Sequence, residues 1–203
     1  MSQMSRDFYE AVKNRRSMYA LSNASPISDE RIEGIIKHAV KYTPSPFNIQ
    51  SGRAVLLLGK HHHRLWEITK MVLKERVSAK KYPKTEAKLN TFQAGHGSIL
   101  FFENQEDVEH LQQRFPRYSE TFPLWSQQSS GMLQYIIWAA LEMEGLGASL
   151  QHYNPLIDEQ VKKEWDLPEK WLLISQMPFG EPTEGPGDKE FKPLEERVKI
   201  FSE

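Results

Sequence analysis

The segment from about Trp125 to Glu144 constrains the fold more than any other part of this 203-residue sequence. Its apolar residues recur at the i, i+3, i+4, i+7 and i+8 spacing of an amphipathic helix: Leu133, Ile136, Ile137, Ala140 and Leu141. Trp138 and Met143 widen this apolar stripe beyond what a helix on the surface needs. The pattern therefore predicts a long helix buried on two sides, with more apolar surface than one core of this size requires.

Other helices are predicted from start and stop signals. An opening helix around Phe8 is expected to end at a basic triplet. Ser28 is suited to cap a second helix, because two acidic residues follow where the helix dipole favours them, and this helix should end before Pro44. Asn154 is predicted to cap a further helix that runs to Trp165.

Three short apolar runs, each bounded by polar residues or glycine, indicate buried strands: Arg53–Leu58, Gly97–Phe102 and Trp171–Gln176. Few strands among many helices predict an α+β or mixed α/β fold, because a doubly wound Rossmann fold needs a more regular alternation. Residues 1–203 are expected to form a single domain. A stretch of Pro, Gly and charged residues predicts that 181–203 is an extended C-terminal arm.

Composition excludes several classes of function. The formal net charge is −1, from 26 basic and 27 acidic residues, so nucleic acid and anionic membranes are not expected as partners. Cys is absent, which excludes disulfides, thiolate metal sites and cysteine nucleophiles. The segment Met1–Tyr9 lacks the apolar region of a signal peptide, and no apolar run approaches the roughly 20 residues that span a bilayer. A cytoplasmic protein is expected.

A basic triplet follows the opening helix as Arg15-Arg16-Ser17. Two guanidinium groups and a hydroxyl within three residues are suited to a phosphate monoester, because guanidinium donors match phosphate oxygens in fork geometry. Arginine beside the last carbonyls of a helix is also ordinary, so the alternative is a solvated helix end. The residues alone leave both interpretations open.

The segment Pro44–Gln50 is a turn-rich loop that carries one hydroxyl and two side-chain amides. Asn and Gln side chains can pair with both donor and acceptor groups of a bound ligand. The alternative is that Pro, Ser and Asn serve turn geometry alone. Further along, Gly145 and Gly147 begin like a dinucleotide fingerprint, but Leu150 stands where the third glycine belongs. Gly145 is better interpreted as a helix stop followed by a strand.

Two further sequence features bear on metal binding and on ligand binding. Adjacent histidines at His61-His62-His63 suggest a metal site, yet their side chains diverge in any regular element, and no matching carboxylate set is apparent. A polar turn after Gly59 is the preferred interpretation. Phe122 and Trp125 are the aromatic residues that could cover a planar ligand. No Ser-His-Asp triad can be singled out.

Residues 14–17, 44–50 and 145–155 together resemble the nitroreductase superfamily of flavin mononucleotide (FMN) oxidoreductases, and within it the small fatty-acid-repression-mutant type. The resemblance extends from Phe8 to about Arg197. It implies an α+β fold with a mixed β-sheet surrounded by helices, in a homodimer with two FMN sites at the interface.

The resemblance assigns the FMN phosphate and ribityl chain to Arg15 and Ser17, in an Arg-x-Ser motif. A basic motif before Pro-Leu near the C-terminus completes the phosphate site in this family, and Lys189 and Lys192 are the candidates here. The match is partial, because Phe191 stands where many relatives have Arg.

A second group of contacts is implied by the family's Pro-Ser-x-x-Asn-x-Gln loop. In relatives this loop reaches the flavin that is bound mainly to the other subunit. The corresponding residues in this sequence are Pro44, Ser45, Phe47, Asn48 and Gln50.

A third group of contacts surrounds the flavin ring. Backbone at Gln151, His152 and Tyr153 is implied to line the isoalloxazine, with one N–H near flavin N5. Lys88 is expected to reach the ribityl chain or the pyrimidine edge. Tyr19 stands where many relatives carry a Lys beside flavin N1 and O2. The charge that stabilises reduced flavin must then come from Arg16 or another group, or the stabilisation is weaker.

The activity implied by the resemblance is a ping-pong reaction, in which NADH or NADPH reduces the flavin and a second substrate is then reduced. Expected acceptors are nitroaromatics, quinones or similar planar molecules, in a slot shaped by residues from about Glu106 to Trp125. A role in oxidative or xenobiotic stress would follow. Two alternatives stay open: a flavin-binding sensor or storage protein, and a cofactor-free interaction protein on the same fold.

Overall fold

A computed structural model of the chain describes residues 7–202, so the first six residues of the segment Met1–Tyr9 lie outside the description. The described part contains seven α-helices: α1 (Phe8–Asn14), α2 (Asp29–Tyr42), α3 (Gly59–Arg76), α4 (Tyr82–Gln93), α5 (Gln105–Arg114), α6 (Phe122–Met143) and α7 (Asp158–Glu164). It also contains five β-strands: β1 (Leu21–Ser22), β2 (Gly52–Leu58), β3 (Gly97–Asn104), β4 (Gly147–Ala148) and β5 (Trp171–Pro182). None of these helices is both long and apolar enough to cross a membrane.

The strands form one sheet in the order β1–β5–β3–β2, with β4 also paired to β5. All of these strand pairs are antiparallel, and an isolated parallel bridge joins Ser17 to Ala148 at the edge. The three predicted strands are confirmed, and the last of them continues beyond Gln176 to Pro182. This extension matters because it gives β1 and β4 their pairing partner.

Strand β3 is buried along its whole length and divides the protein into two cores. Ile99 and Phe101 face α2 and α6, whereas Leu100 and Phe102 face α3, α4 and α7. Alternate residues of a strand point to opposite faces, so a fully buried strand needs a helical layer on each side. The predicted α+β fold, a sheet surrounded by helices, is confirmed.

Helix α6 has the two apolar sides that its sequence predicts. Its inner side places Leu133, Ile137 and Leu141 in the core with α2. On its outer side, Met132 and Ile136 are 43% and 37% exposed in the single chain. Apolar side chains on both sides of one helix leave surface that this chain does not cover by itself.

The predicted ends of α2 and α6 are confirmed. The Ser28 hydroxyl accepts a hydrogen bond from the Arg31 N–H at 3.3 Å, which caps α2. The same helix ends at Tyr42, and its C-cap residue Thr43 directly precedes Pro44. Gly145 follows the end of α6 with a φ of 87°, a left-handed conformation that glycine adopts without steric cost.

Two local predictions are wrong. Helix α7 begins at Asp158 rather than after Asn154, whose side-chain oxygen accepts a hydrogen bond from Gln176 Nε2 and is therefore engaged with the sheet. The three consecutive histidines do not form a polar turn, because they lie in the first turns of α3. His62 points into the core while its neighbours are exposed, as expected for successive helical positions.

Buried His62 is held by two hydrogen bonds. Its Nε2 lies 3.1 Å from the Gln93 carbonyl oxygen, which can only accept, so Nε2 carries the proton in the neutral ring. Its Nδ1 lies 2.9 Å from the Ser98 hydroxyl, which also accepts a hydrogen bond from Trp66 Nε1. The pKa of His62 is lowered from 6.5 to about 4, mainly by burial; the nearby His63 and His96 contribute to the decrease, and the Gln93 and Phe92 carbonyls oppose it.

We predict that His62 makes the fold sensitive to acid. Because folding lowers its pKa, the stability it confers is present above about pH 6.5 and is lost as the pH falls through about 4. The loss should be roughly 3 kcal/mol of unfolding free energy, measured by urea denaturation across this range. His62→Gln should flatten this part of the pH dependence, and exposed His63→Gln should not. If the unfolding free energy depended on pH equally in the two variants, the acid sensitivity could not be assigned to His62.

Candidate functional site

The basic triplet is fixed to the sheet directly after α1. Ser17 forms the parallel bridge with Ala148, and the Met18 N–H donates to the Ala148 carbonyl at 3.0 Å. Because β4 is only two residues long and follows the glycine stop of α6, this contact brings the triplet to the C-terminal end of that helix. The sheet edge therefore sets the position of the triplet.

Arg15 is oriented by an aromatic side chain of α6. Its Cζ lies 4.2 Å from the centroid of the Trp138 ring and 5.8 Å from that of Tyr135. A guanidinium over an aromatic face uses its own face for the contact, so its N–H edge stays available. The Nε atom is buried and has no hydrogen-bond partner among residues 7–202. This half-buried side chain differs from the solvated helix end that was the alternative. One weak sequence signal could have indicated the contact, the i, i+3 spacing of Tyr135 and Trp138.

The C-terminal arm closes over the triplet. Arg16 Nη2 donates to the Gly187 carbonyl oxygen at 2.8 Å. A cleft of about 440 Å³ lies between the triplet and the arm, and it is lined by Arg15, Arg16, Ser17 and Lys189, among others. Lys192 is exposed and does not line this cleft. Three cations and a hydroxyl around one cleft form a donor set suited to a phosphate group.

Tyr19 also lines this cleft and contacts α4. Its ring centroid lies 6.2 Å from that of Phe92, and the Lys88 ammonium lies 5.9 Å and 5.5 Å from the two rings. The fold therefore brings Lys88 next to Tyr19, although the two residues are far apart in the sequence. It also puts a cation beside the tyrosine that replaces the expected lysine.

Backbone at residues 151–153 presents one free donor. The Gln151 N–H donates to the Gln176 carbonyl at 2.7 Å, and the Tyr153 N–H donates to Gln176 Oε1 at 2.8 Å. Among residues 7–202, no acceptor bonds the His152 N–H, and this residue is exposed. The Tyr153 phenol is half-buried, and burial raises its pKa to about 12, so it stays neutral. A ligand can therefore use the His152 N–H without displacing an existing bond.

The loop Pro44–Gln50 is held in a strained conformation. Phe47, Asn48 and Gln50 have φ values of 51°, 54° and 53°, in the left-handed region that costs a non-glycine residue about 1–2 kcal/mol. The Ser45 hydroxyl accepts a hydrogen bond from the Gln50 N–H at 2.9 Å. The Ser129 hydroxyl of α6 donates to the Pro44 carbonyl at 2.6 Å. These contacts hold the two ends of the loop in place.

The Phe47 side chain completes an aromatic cluster. Its ring centroid lies 4.8 Å from Phe115 and 5.5 Å from Phe122. Phe122 is buried and therefore supports Phe47 rather than covering a ligand as the sequence suggested. Half-buried Trp125 lines a mostly apolar cleft of about 370 Å³ beside the loop, together with Met132. This part of residues 106–125 is suited to flat, apolar molecules.

The loop and the basic triplet lie at different positions along α6. Pro44 is bonded to Ser129, and Arg15 contacts Trp138, nine positions further along the helix. At a rise of 1.5 Å per residue, the two contacts are about 14 Å apart along the helix axis. The two clefts lined by Arg15 and Arg16 are not lined by any residue of the loop, and the two clefts beside the loop are not lined by the triplet. The two groups therefore line separate clefts in the described part of the chain.

The described residues contain no group of three or more His, Asp or Glu side chains arranged to hold a metal ion. The exposed His61 accepts a hydrogen bond from Trp165 Nε1 at 3.2 Å. The histidine triplet therefore contributes to the packing of α3 against α7.

Comparison with known proteins gives a consistent result. The sequence model of the nitroreductase family matches residues 12–181. Over 96% of its length, the chain is 35% identical to the Saccharomyces cerevisiae protein HBN1, of which it covers 97%. It is 33% identical to nitroreductase FRM2 of the same yeast, covering 91% of this chain and 93% of that protein. The predicted fatty-acid-repression-mutant type is confirmed by these two relatives.

Solved structures agree in fold. Nitroreductase CinD from Lactococcus lactis, in complex with chloramphenicol, superposes with a TM-score of 0.88 at 42% identity, covering 97% of this chain and all of the other. The same protein has also been solved with 4-nitrophenol. A structure from Desulfovibrio desulfuricans in complex with FMN has a TM-score of 0.70 and covers 97% of this chain and 99% of the other, but at 18% identity it shows the fold alone.

We predict that the backbone strain at Gln50 lowers the unfolding free energy of the protein by a measurable amount. Gln50→Gly and Gln50→Ala both remove the side-chain amide, but only glycine relieves the left-handed φ of 53°. The glycine variant should therefore be more stable than the alanine variant by roughly 1 kcal/mol in urea denaturation. An alanine variant as stable as the glycine variant would show that the backbone here is not strained.

Proposed function

The chain belongs to the nitroreductase family, and on that premise we propose that it is an FMN-dependent oxidoreductase, using NADH or NADPH to reduce nitroaromatic, quinone or similar planar acceptors. The observation that carries this proposal is the basic cleft lined by Arg15, Arg16, Ser17 and Lys189. The CinD complex with 4-nitrophenol supports a nitroaromatic acceptor. A cytoplasmic role in xenobiotic or oxidative stress is part of the proposal.

The phosphate end of FMN fits the donors at the triplet. Arg15 would bind phosphate oxygens through its free edge, because Trp138 holds only the face of the guanidinium. Its buried, unbonded Nε is a donor that needs an acceptor, and a phosphate oxygen supplies one. Ser17 adds a hydroxyl, and Lys189 adds a second charge. Arg16 has part of its guanidinium committed to Gly187, so we propose that it mainly holds the arm closed.

The ring end of FMN fits the groups around Tyr19. The exposed His152 N–H would donate to the ring, and the Lys88 ammonium beside Tyr19 would supply the positive charge that relatives obtain from a lysine at that position. When bound, FMN supplies the hydride and electron transfer, so no protein nucleophile is required. The protein binds and orients the ring, and Gln151 and Tyr153 keep the backbone in place through Gln176.

We propose that two chains form each site. The loop Pro44–Gln50 and the triplet of the same chain line separate clefts and are anchored about 14 Å apart along α6, and we propose that a second copy presents its loop at this triplet. The outer side of α6 supplies apolar surface for the interface through Met132 and Ile136. The arm supplies more, since Leu194 and Phe201 are 67% and 95% exposed. A single FMN-binding domain with residues 181–203 as an arm is therefore proposed to act as a homodimer.

The purified protein tests this function directly. We expect a yellow homodimer that carries about one FMN per chain, shown by the absorbance spectrum and by light scattering. Steady-state oxidation of NADH or NADPH with 4-nitrophenol or a quinone should give the parallel double-reciprocal lines of a ping-pong reaction. Bound FMN with negligible turnover would favour a sensor or storage protein. A colourless protein that does not take up FMN would favour an interaction protein.

The role of Arg15 gives a second prediction. Arg15→Ala removes a charge-assisted contact worth roughly 1.5 to 3 kcal/mol, so the dissociation constant of FMN should rise by about ten- to a hundred-fold. Arg15→Lys should recover only part of the affinity, because an ammonium keeps the charge but loses the fork. Flavin fluorescence quenching measures both. Lys192→Ala is the control, since Lys192 lies outside the cleft, and its affinity should match that of the wild type. Unchanged affinity in Arg15→Ala would leave the phosphate to Arg16 and Lys189.

A further inference from the structure

A buried carboxyl lies directly beneath the end of the strained loop. Glu103 of β3 is fully buried and pairs with Gly52 of β2. Its Oε2 accepts a hydrogen bond from the Ser51 hydroxyl at 2.6 Å. The Ser51 carbonyl in turn accepts from the Asn104 N–H at 2.9 Å. Ser51, the residue that follows Gln50, is therefore held through both its side chain and its backbone.

Glu103 has an unmet hydrogen-bonding demand. Its Oε1 is buried and has no hydrogen-bond partner among residues 7–202. If Glu103 were ionised, this oxygen would carry half of a buried negative charge with no donor to compensate it, which is costly in a protein interior. A protonated carboxyl avoids that cost while its Oε2 stays bonded to Ser51. The local geometry therefore favours the neutral acid.

The charges around Glu103 do not reverse this preference. Arg53 of β2 is the nearby cation, but its Nη2 donates to Asp107 of α5 at 2.7 Å, and its Nη1 donates to the Gln50 carbonyl at 2.6 Å. Burial raises the pKa of Glu103 from 4.5 to about 7, Asp107 adds to the rise, and Ser51 and Arg53 oppose it. From α6, the apolar side chain of Leu133 packs beside Gly52. The acid is thus poised to titrate near neutral pH.

Two anchors meet at the C-terminal end of the loop. One runs from Glu103 to Ser51, and the other runs from Asp107 through Arg53 to the Gln50 carbonyl. Gln50 itself is left-handed and strained, so it keeps its conformation only while its surroundings hold it. An ionised Glu103 would draw water or Arg53 toward its unpaired oxygen, and either movement disturbs these anchors.

We propose that Glu103 is a positioning residue for the loop Pro44–Gln50, and that loss of its proton loosens Gln50 and weakens FMN binding. The inference rests on the proposed function, because the loop matters to the flavin only in a nitroreductase dimer. Since folding raises the pKa of Glu103, the stabilising effect is complete below about pH 4.5 and is lost as the pH rises through about 7. FMN binding in turn favours the protonated carboxyl.

The test compares FMN affinity in the wild-type dimer and in Glu103→Gln, whose amide has the same shape but cannot ionise. The dissociation constants should agree within about three-fold near pH 6, whereas by about pH 8.5 the wild type should bind about ten-fold more weakly than the variant. Titration of the FMN phosphate affects both proteins equally. The ratio of the two dissociation constants therefore reports only the ionisation of Glu103. A ratio that stays constant with pH overturns the proposal. Absence of FMN binding at every pH would instead overturn the proposed function.

A second measurement does not depend on flavin. Amide hydrogen exchange of residues 44–51 in the FMN-free dimer should be equal in the wild type and Glu103→Gln near about pH 6 and faster in the wild type near about pH 8.5. Ser51→Ala removes the hydrogen bond between Ser51 and Glu103 but keeps the Glu103 carboxyl. This variant should therefore show fast exchange of the loop amides at both pH values. If Glu103→Gln does not fold, this variant decides the question. Loop exchange in Ser51→Ala equal to that of the wild type near about pH 6 overturns the proposal.

Discussion

The complete burial of β3 is the constraint on which the rest of the structure depends. A strand that is buried on both faces must be covered by two helical layers, and its alternating side chains fill both cores. That arrangement fixes α6 against one face of the sheet and α4 against the other. It also places the end of β3, with Glu103, beneath the loop that precedes β2. The candidate site is thus assembled from segments that the sheet brings together.

Helix α6 separates the two halves of the candidate site. Its Ser129 holds the loop Pro44–Gln50, and its Trp138 orients Arg15, about 14 Å further along the axis. In the proposed homodimer, the second chain supplies the loop that meets the triplet. The exposed apolar side of the same helix, with Met132 and Ile136, is the surface proposed for that contact. The exposed apolar side of α6 and the proposed cofactor site therefore both favour a second chain packed against this helix.

Among residues 7–202, four non-glycine residues have a left-handed φ, and all of them except Asp166 lie in a loop with a proposed role. Three non-glycine residues of one seven-residue loop are left-handed, and glycine at any of them would cost less. Keeping Phe47, Asn48 and Gln50 there is understandable if their side chains are used by a ligand. Buried hydrogen bonds from Ser129 and Ser51 hold the ends of the loop. The titration of Glu103 would then make the conformation of the loop depend on pH.

The sequence by itself determined the helices with clear periodicity, the three central strands, the Gly145 stop and the presence of a basic triplet, because each is a local pattern of burial or backbone preference. It did not determine that Asn154 bonds to the sheet, that Trp138 orients Arg15 or that Lys88 meets Tyr19. It also could not show which backbone donor stays free, because Gln176, far away in the chain, occupies the donors on either side of His152. These contacts join distant segments, so only the packing of helices on the sheet decided them.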